Sequence, residues 1–181
     1  MATKIEEYRG IFKEFCDVFS STYEEMLGIN PSIVVYEIKA YPMARPIRKK
    51  LHQVHPRNDA PIKVEVEKNL KVVFIYHVPL TEWVSNIVPI TKKQGTIRVC
   101  IHFRDLNKSC PKDNFPTPHI DQIIDNCVGS VIFYFMDGFS GYNHIDILLV
   151  DQHKMTFICL CATFAYRKIP FSVKTVGATF Q

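Results

Sequence analysis

The chain is short of several things, and each shortage removes a class. No apolar run exceeds six residues, and Val131–Met136 is one of that length. A run of six falls far below the ~20 residues that a membrane-spanning helix needs. Residues 1–20 alternate charged and apolar side chains, which is not the pattern of a targeting peptide. The expectation is a soluble intracellular chain, cytoplasmic or nuclear, without a membrane partner. No internal repeat and no low-complexity tract is present. Six cysteines occur at 16, 100, 110, 127, 159 and 161, none spaced Cys-x-x-Cys. That spacing favours reduced thiols over a disulfide framework. Cys159, Cys161 and His153 do not make a zinc site, because the spacing is wrong and a fourth ligand is missing.

Neither sign of charge dominates. Twenty-two Lys and Arg against eighteen Asp and Glu leave a formal charge of +4. This excess permits a nucleic-acid partner without requiring one. Hydrophobic residues make up 47% and charged residues 22% of the 181 positions. That composition belongs to a globular chain with a real core.

Periodicity supplies the elements. Residues 3–19 predict an amphipathic helix with Ile5, Tyr8, Phe12, Phe15 and Phe19 on one face, and with Thr3 and Glu6 as a capping box. Residues 20–60 contain four prolines and the basic cluster Arg45, Arg48, Lys49, Lys50. They read as a connector over a surface, with a short strand at Ile33–Ile38. A second helix is predicted over 61–74, with Ile62, Val66, Leu70 and Val73 on its inner face. Val84–Thr91 and Ile97–Phe103 read as strands joined by the basic turn Lys92-Lys93-Gln94-Gly95. Thr117-Pro118 opens a third helix that Gly129 stops. Val131–Met136 reads as a strand buried on both faces. A turn at Gly138–Gly141, strands near 155–159 and 163–168, and a helix after Pro170 complete an α+β order.

Two features carry chemistry. Asp137 follows the apolar run, so its carboxylate must be solvated, paired or bound to a cation. It also suits an ordinary turn at a strand end. Lys92, Lys93 and Arg98 cluster on one hairpin. Such cations suit a triphosphate, or they are the solvated charges of an exposed ribbon.

Longer motifs decide between these alternatives. Glu82-Trp-Val-Ser-Asn-Ile-Val-Pro89, Arg98-Val-Cys-Ile-His-Phe-Arg-Asp-Leu-Asn-Lys108, Cys110-Pro-Lys-Asp-Asn-Phe-Pro116, Phe135-Met-Asp-Gly-Phe-Ser-Gly-Tyr-Asn143 and Gly177-Ala-Thr-Phe-Gln181 follow in order. Together they resemble the reverse transcriptase of gypsy-type long-terminal-repeat retrotransposons, plant elements in particular. Asp17-Val-Phe19 and Ala44-Arg-Pro-Ile-Arg48 resemble the segment that joins protease to polymerase in such Pol polyproteins. The resemblance implies an α+β fold, with reverse-transcriptase fingers and an incomplete palm of a right-hand polymerase. Residues 1–60 would be the connector with its N-terminal helix, and 61–181 the fingers and N-terminal palm.

The site residues follow from the same resemblance. Asp137 matches the first catalytic aspartate, a ligand of two Mg2+ ions, and the carbonyl of Gly138 would face a metal. Lys93 and Arg98 match the residues that grip the incoming dNTP. Tyr142 matches the aromatic gate beneath the sugar, while Pro170 and Phe171 line the nucleotide pocket. Trp83 and Phe103 are expected to pack the fingers core. An RNA or DNA template-primer would be the partner. No oligomeric state is implied.

The sequence also departs from that family. It contains no Tyr-x-Asp-Asp hairpin with the other two aspartates, so the chain reads as a truncated, inactive fragment. His102 replaces an Asp whose role is expected to be a buried carboxylate, and His144 replaces Gln. Leu149-Val150 replaces Pro-Glu, and Leu160-Cys-Ala162 replaces Pro-Trp-Gly. Ser172 and Thr175 replace Gly and Asn. Ser172 matters if that position needs a positive φ, which only Gly adopts cheaply. A non-catalytic, pseudogene-like product with nonspecific nucleic-acid binding is the alternative reading.

Overall fold

The computed structural model describes residues 2–18, 20, 22–91, 97–116, 118–131, 133, 138 and 140–180. In chain order the elements are α1 (Ala2–Glu14), α2 (Asp59–Lys71), β1 (Ile75–His77), β2 (Ser85–Thr91), β3 (Ile97–Ile101), α3 (Arg104–Ser109), α4 (Ile120–Cys127), β4 (Thr156–Ile158), β5 (Thr163–Tyr166) and α5 (Val176–Phe180). The five strands form one sheet in the order β1-β5-β4-β2-β3. All neighbours pair antiparallel except β2 and β4, which run parallel from Ser85 opposite Phe157. This is the mixed α+β architecture that the element order predicts.

The core lies between the sheet, α2 and α3. Ile62 and Val66 of α2, Phe103 and Leu106 around the start of α3, and Phe157 and Phe164 of the sheet are buried there. Trp83 is buried too, so both it and Phe103 take the packing role expected of them. α2 begins two residues before Pro61, which therefore sits in the first turn. Backbone N–H groups there have no intrahelical partner, so proline costs nothing. Lys63 and Glu67 pair at 3.9 Å along its outer face.

α2 ends in a left-handed turn. The Phe74 N–H donates to the Asn69 carbonyl and the Val73 N–H to the Leu70 carbonyl. This is the Schellman pairing, with Val73 at φ 60° in the position that glycine usually fills.

Other elements differ from expectation. α1 starts at Ala2, so Thr3 lies inside the helix rather than capping it. Ile5, Tyr8, Phe12 and Phe15 are all exposed, so the apolar face of α1 is not part of the buried core. α4 is also exposed on its apolar face at Ile120, Ile123 and Ile124. Val131 is 96% exposed and Phe133 half exposed, and neither belongs to a strand, so the buried strand fails at these two positions. The remainder of that run lies outside the described residues. Residues 33–38 form no strand. Tyr36 instead makes a single parallel bridge to Ile147, with Tyr36 and Ile38 buried and Glu37 exposed between them.

A buried charge ties residues 36–38 to the segment before β4. Asp151 accepts the Ile38 N–H at 2.9 Å and the Lys154 ammonium at 2.6 Å. Lys154 also donates to the Ile38 carbonyl at 3.2 Å. The carboxylate is 5% exposed, and these bonds offset its desolvation. Beside it the Tyr36 hydroxyl meets Thr175 Oγ1 at 2.7 Å. Burial pushes the Tyr36 phenol up to about 12, against the opposing pull of the Thr175 hydrogen bond.

No helix among the described residues is long and apolar enough to cross a membrane. None of the six cysteines is paired in a disulfide.

Candidate functional site

A cleft of about 860 Å³ opens beside the sheet, and segments far apart in sequence line it. β3 contributes Arg98 to Ile101. The turn at 138–143 contributes Gly138, Gly141 and Tyr142. The loop after β5 contributes Pro170, Phe171 and Ser172. Phe180 of α5 and Glu65 and Asn69 of α2 complete the wall.

Each wall is fixed by local geometry. Arg98 stands opposite Ile90 in the antiparallel β2–β3 ladder, on the exposed part of the strand. The 138–145 turn is tightly bonded. Gly141 N–H donates to the Gly138 carbonyl at 3.1 Å and Asn143 N–H to the Ser140 carbonyl at 2.8 Å. Asn143 Nδ2 donates to Ser140 Oγ at 2.8 Å, with Ser140 at φ 50°. A Cβ at Gly141 would lie 2.8 Å from the tip of the Phe180 ring, so a side chain there would make that ring shift.

Tyr142 stands between two aromatic edges. Its ring centroid is 5.4 Å from Phe171 and 5.0 Å from Phe180, both edge-to-face. Such pairs are worth about 0.5–1.5 kcal/mol each beyond their buried area. The result is an apolar aromatic floor facing a strand that carries a guanidinium. Tyr166 stacks behind it on Phe157 at 5.5 Å, and burial raises its pKa well above the usual phenol range. An aromatic floor in the same cleft as a planar cation suits a ligand with a ring or sugar at one end and an anion at the other.

The predicted site residues can now be placed. Arg98, Gly138, Tyr142 and Phe171 all line this one cleft, as does Pro170. Lys93 and Asp137 lie outside the described residues, as does Lys92. Among the described residues no group of three His, Cys, Asp or Glu could hold a metal ion. The described donors therefore do not amount to a two-metal site, and no step is derived through one. Of the basic cluster, Lys49 pairs with Asp105 at 2.9 Å, while Arg45, Arg48 and Lys50 are exposed.

Two expectations about the family departures meet the structure directly. Ser172 has φ +76°, so that position does require the left-handed backbone. Position 102 is exposed, and its N–H donates to the Asn86 carbonyl at 3.3 Å. A buried carboxylate is not needed there, so His102 costs the fold little. Sequence reasoning missed Tyr23, Glu65, Asn69 and Phe180 as cleft residues. Phe180 lay within a quoted motif, but nothing in its pattern says which way the ring turns.

No family model matches the chain. It is 27% identical over 178 residues to the Transposon Tf2-3 polyprotein of Schizosaccharomyces pombe, and 26% identical to the Tf2-7 polyprotein over the same length. These matches cover 98% of this chain but only 13% of each polyprotein. Among solved structures, the native prototype foamy virus protease-reverse transcriptase superposes with a TM-score of 0.79 over 99% of this chain and 24% of that one, at 16% identity. The foamy viral enzyme in complex with an RNA/DNA hybrid gives 0.73 over 97% and 23%, at 13% identity. The chain thus has homologues among retrotransposon polyproteins, and it shares its fold with part of a protease-reverse transcriptase.

Proposed function

We propose that residues 61–181 are the fingers and N-terminal palm of an RNA-directed DNA polymerase from a gypsy-type retrotransposon, with 1–60 as the connector from the protease. The cleft is its deoxynucleoside triphosphate site. One observation carries this reading. Arg98, Gly138, Tyr142 and Phe171, which the motif resemblance singles out from three separate segments, line a single cleft.

In this reading Arg98 offers its fork of N–H donors to the phosphates, joined by Lys93 from the same hairpin. Tyr142, held edge-on by Phe171 and Phe180, supports the sugar and excludes a 2′-hydroxyl by contact. Template-primer, RNA or DNA, lies along the same face. Magnesium belongs to the intact family, where it neutralises the triphosphate, with Asp137 and the Gly138 carbonyl as its protein contacts. The 181 residues carry one aspartate of that kind, so they are assigned nucleotide binding and not complete catalysis. Assayed alone they should give no primer extension.

The test is a titration of the 181-residue chain with a fluorescent dNTP. Arg98→Ala should weaken binding about tenfold, the scale of one charge-assisted contact. Tyr142→Ala should lose the preference for deoxy over ribo nucleotide. Binding that ignores both substitutions would sink the reading. The exposed Arg45, Arg48 and Lys50 favour a second one, a non-catalytic nucleic-acid binder. It predicts affinity for single strands that is indifferent to sequence and falls steeply with salt.

A further inference from the structure

The loop that carries Phe171 is tied at two backbone groups to one side chain of α3. Asn107 Nδ2 donates to the Ser172 carbonyl at 2.7 Å, and Asn107 Oδ1 accepts the Lys174 N–H at 3.0 Å. One primary amide thus satisfies a carbonyl and an N–H two residues apart, 65 and 67 positions along the chain. The bond is returned at the helix end. The Lys174 ammonium donates to the Cys110 carbonyl at 3.1 Å, among the unpaired carbonyls that close α3. Ser172 Oγ reaches the Ile101 carbonyl at 2.8 Å, at the end of the strand that bears Arg98.

We infer that Asn107 is a positioning residue for the nucleotide cleft, fixing Phe171 against Tyr142 by clamping the backbone at 172–174. The inference rests on the cleft being the nucleotide site. Its physical basis is the left-handed backbone at Ser172. A non-glycine residue at φ +76° relaxes unless its neighbours hold it. The Asn107 clamp fixes the carbonyl of that residue and the N–H two residues on, so it holds the backbone on the C-terminal side of Ser172. If the clamp opens, the loop can turn, and Phe171 leaves the edge of Tyr142. A primary amide serves because the two backbone groups need one donor and one acceptor from the same side chain. Aspartate has nearly the same shape, but it places a second acceptor against the Ser172 carbonyl.

The experiment puts 4-trifluoromethylphenylalanine at position 171 of the full chain and reads its 19F resonance, beside a fluorescent dNTP titration and a thermal melt. Asn107→Asp and Asn107→Ala should move the resonance toward its solvent position. They should weaken nucleotide binding about three- to tenfold, the equivalent of losing one hydrogen bond. Ser109→Ala is the control. Its hydroxyl bonds only the Asp105 carbonyl of the same helix, so it perturbs α3 without touching the loop. It should leave both the resonance and the affinity unchanged. A 171 resonance that stays put in Asn107→Asp and Asn107→Ala, or that moves equally in Ser109→Ala, overturns the clamp. If the wild-type chain binds no nucleotide, the functional reading falls, and the resonance still decides the clamp.

Discussion

Ser172 offers a clean separation of backbone strain from side-chain bonding. Two opposing terms act on it. Its φ of +76° costs an L-residue about 1–2 kcal/mol relative to a relaxed backbone. Its hydroxyl donates to the Ile101 carbonyl at 2.8 Å, a net gain of about 1 kcal/mol. Ser172→Ala keeps the strain and loses the bond, so stability should fall by about 1 kcal/mol. Ser172→Gly loses the same bond but sheds the strain, while the unfolded chain gains about 0.4–1 kcal/mol of entropy. These terms nearly cancel, and the glycine variant should sit close to wild type. The gap between the two variants, about 1 kcal/mol, reports the backbone alone. For a chain of this length it corresponds to about 2–4 °C in Tm. Differential scanning calorimetry of the three proteins measures it. If the alanine and glycine variants melt together, position 172 is not held left-handed, and the strain argument is wrong.

Val73 sits left-handed at the end of α2 with its side chain 54% exposed, so Val73→Gly should raise stability by about 1 kcal/mol in urea titrations at little cost in burial. Asp151→Asn leaves an amide donor facing the Lys154 ammonium or the Ile38 N–H, and unfolding titrations should show a loss of about 2–4 kcal/mol, somewhat below a fully buried pair because Lys154 keeps some solvent contact. Tyr36 binds its proton more tightly folded than unfolded, so its contribution is fully present below pH 10 and is lost as pH rises from 10 through about 12. That loss amounts to about 2–3 kcal/mol. In urea titrations at pH 9 and pH 11.5, Tyr36→Phe should narrow the difference between the two conditions by about that amount.

Much of the fold was legible, and the misses have physical causes. α2, β2 and β3 announce themselves by period, because one face of each meets the core, while β4 and β5 fall in a short apolar stretch. β1 has three residues and α3 six, too few for either period to repeat. In α1 and α4 the period was read correctly, but it says only that a face is apolar. It does not say what covers that face, and in both helices the residues on it are exposed. Tyr36 and Ile38 alternate like a strand, yet they pair through a single bridge, because the pairing is made with a loop at 146–148 and not with a ladder. The cleft was legible only through long motifs. Arg98, Tyr142 and Phe171 have no local spacing that joins them, and Asn107 acts on backbone atoms, which leave no mark in the sequence of the loop that they hold.

The departures from the family pattern weigh differently once each has a place. Position 102 is open to solvent, so an imidazole there meets no packing demand. Leu149 and Val150 are 77% and 68% exposed, so they add apolar surface without entering the core. Thr175 is half-buried and Ser172 exposed, and each has a hydrogen bond, to Tyr36 and to the Ile101 carbonyl. The exposed substitutions leave their side chains in solvent, and Thr175 and Ser172 are each hydrogen-bonded. The strain that remains at Ser172 is carried by a loop that Asn107, Lys174 and Ile101 hold from three directions.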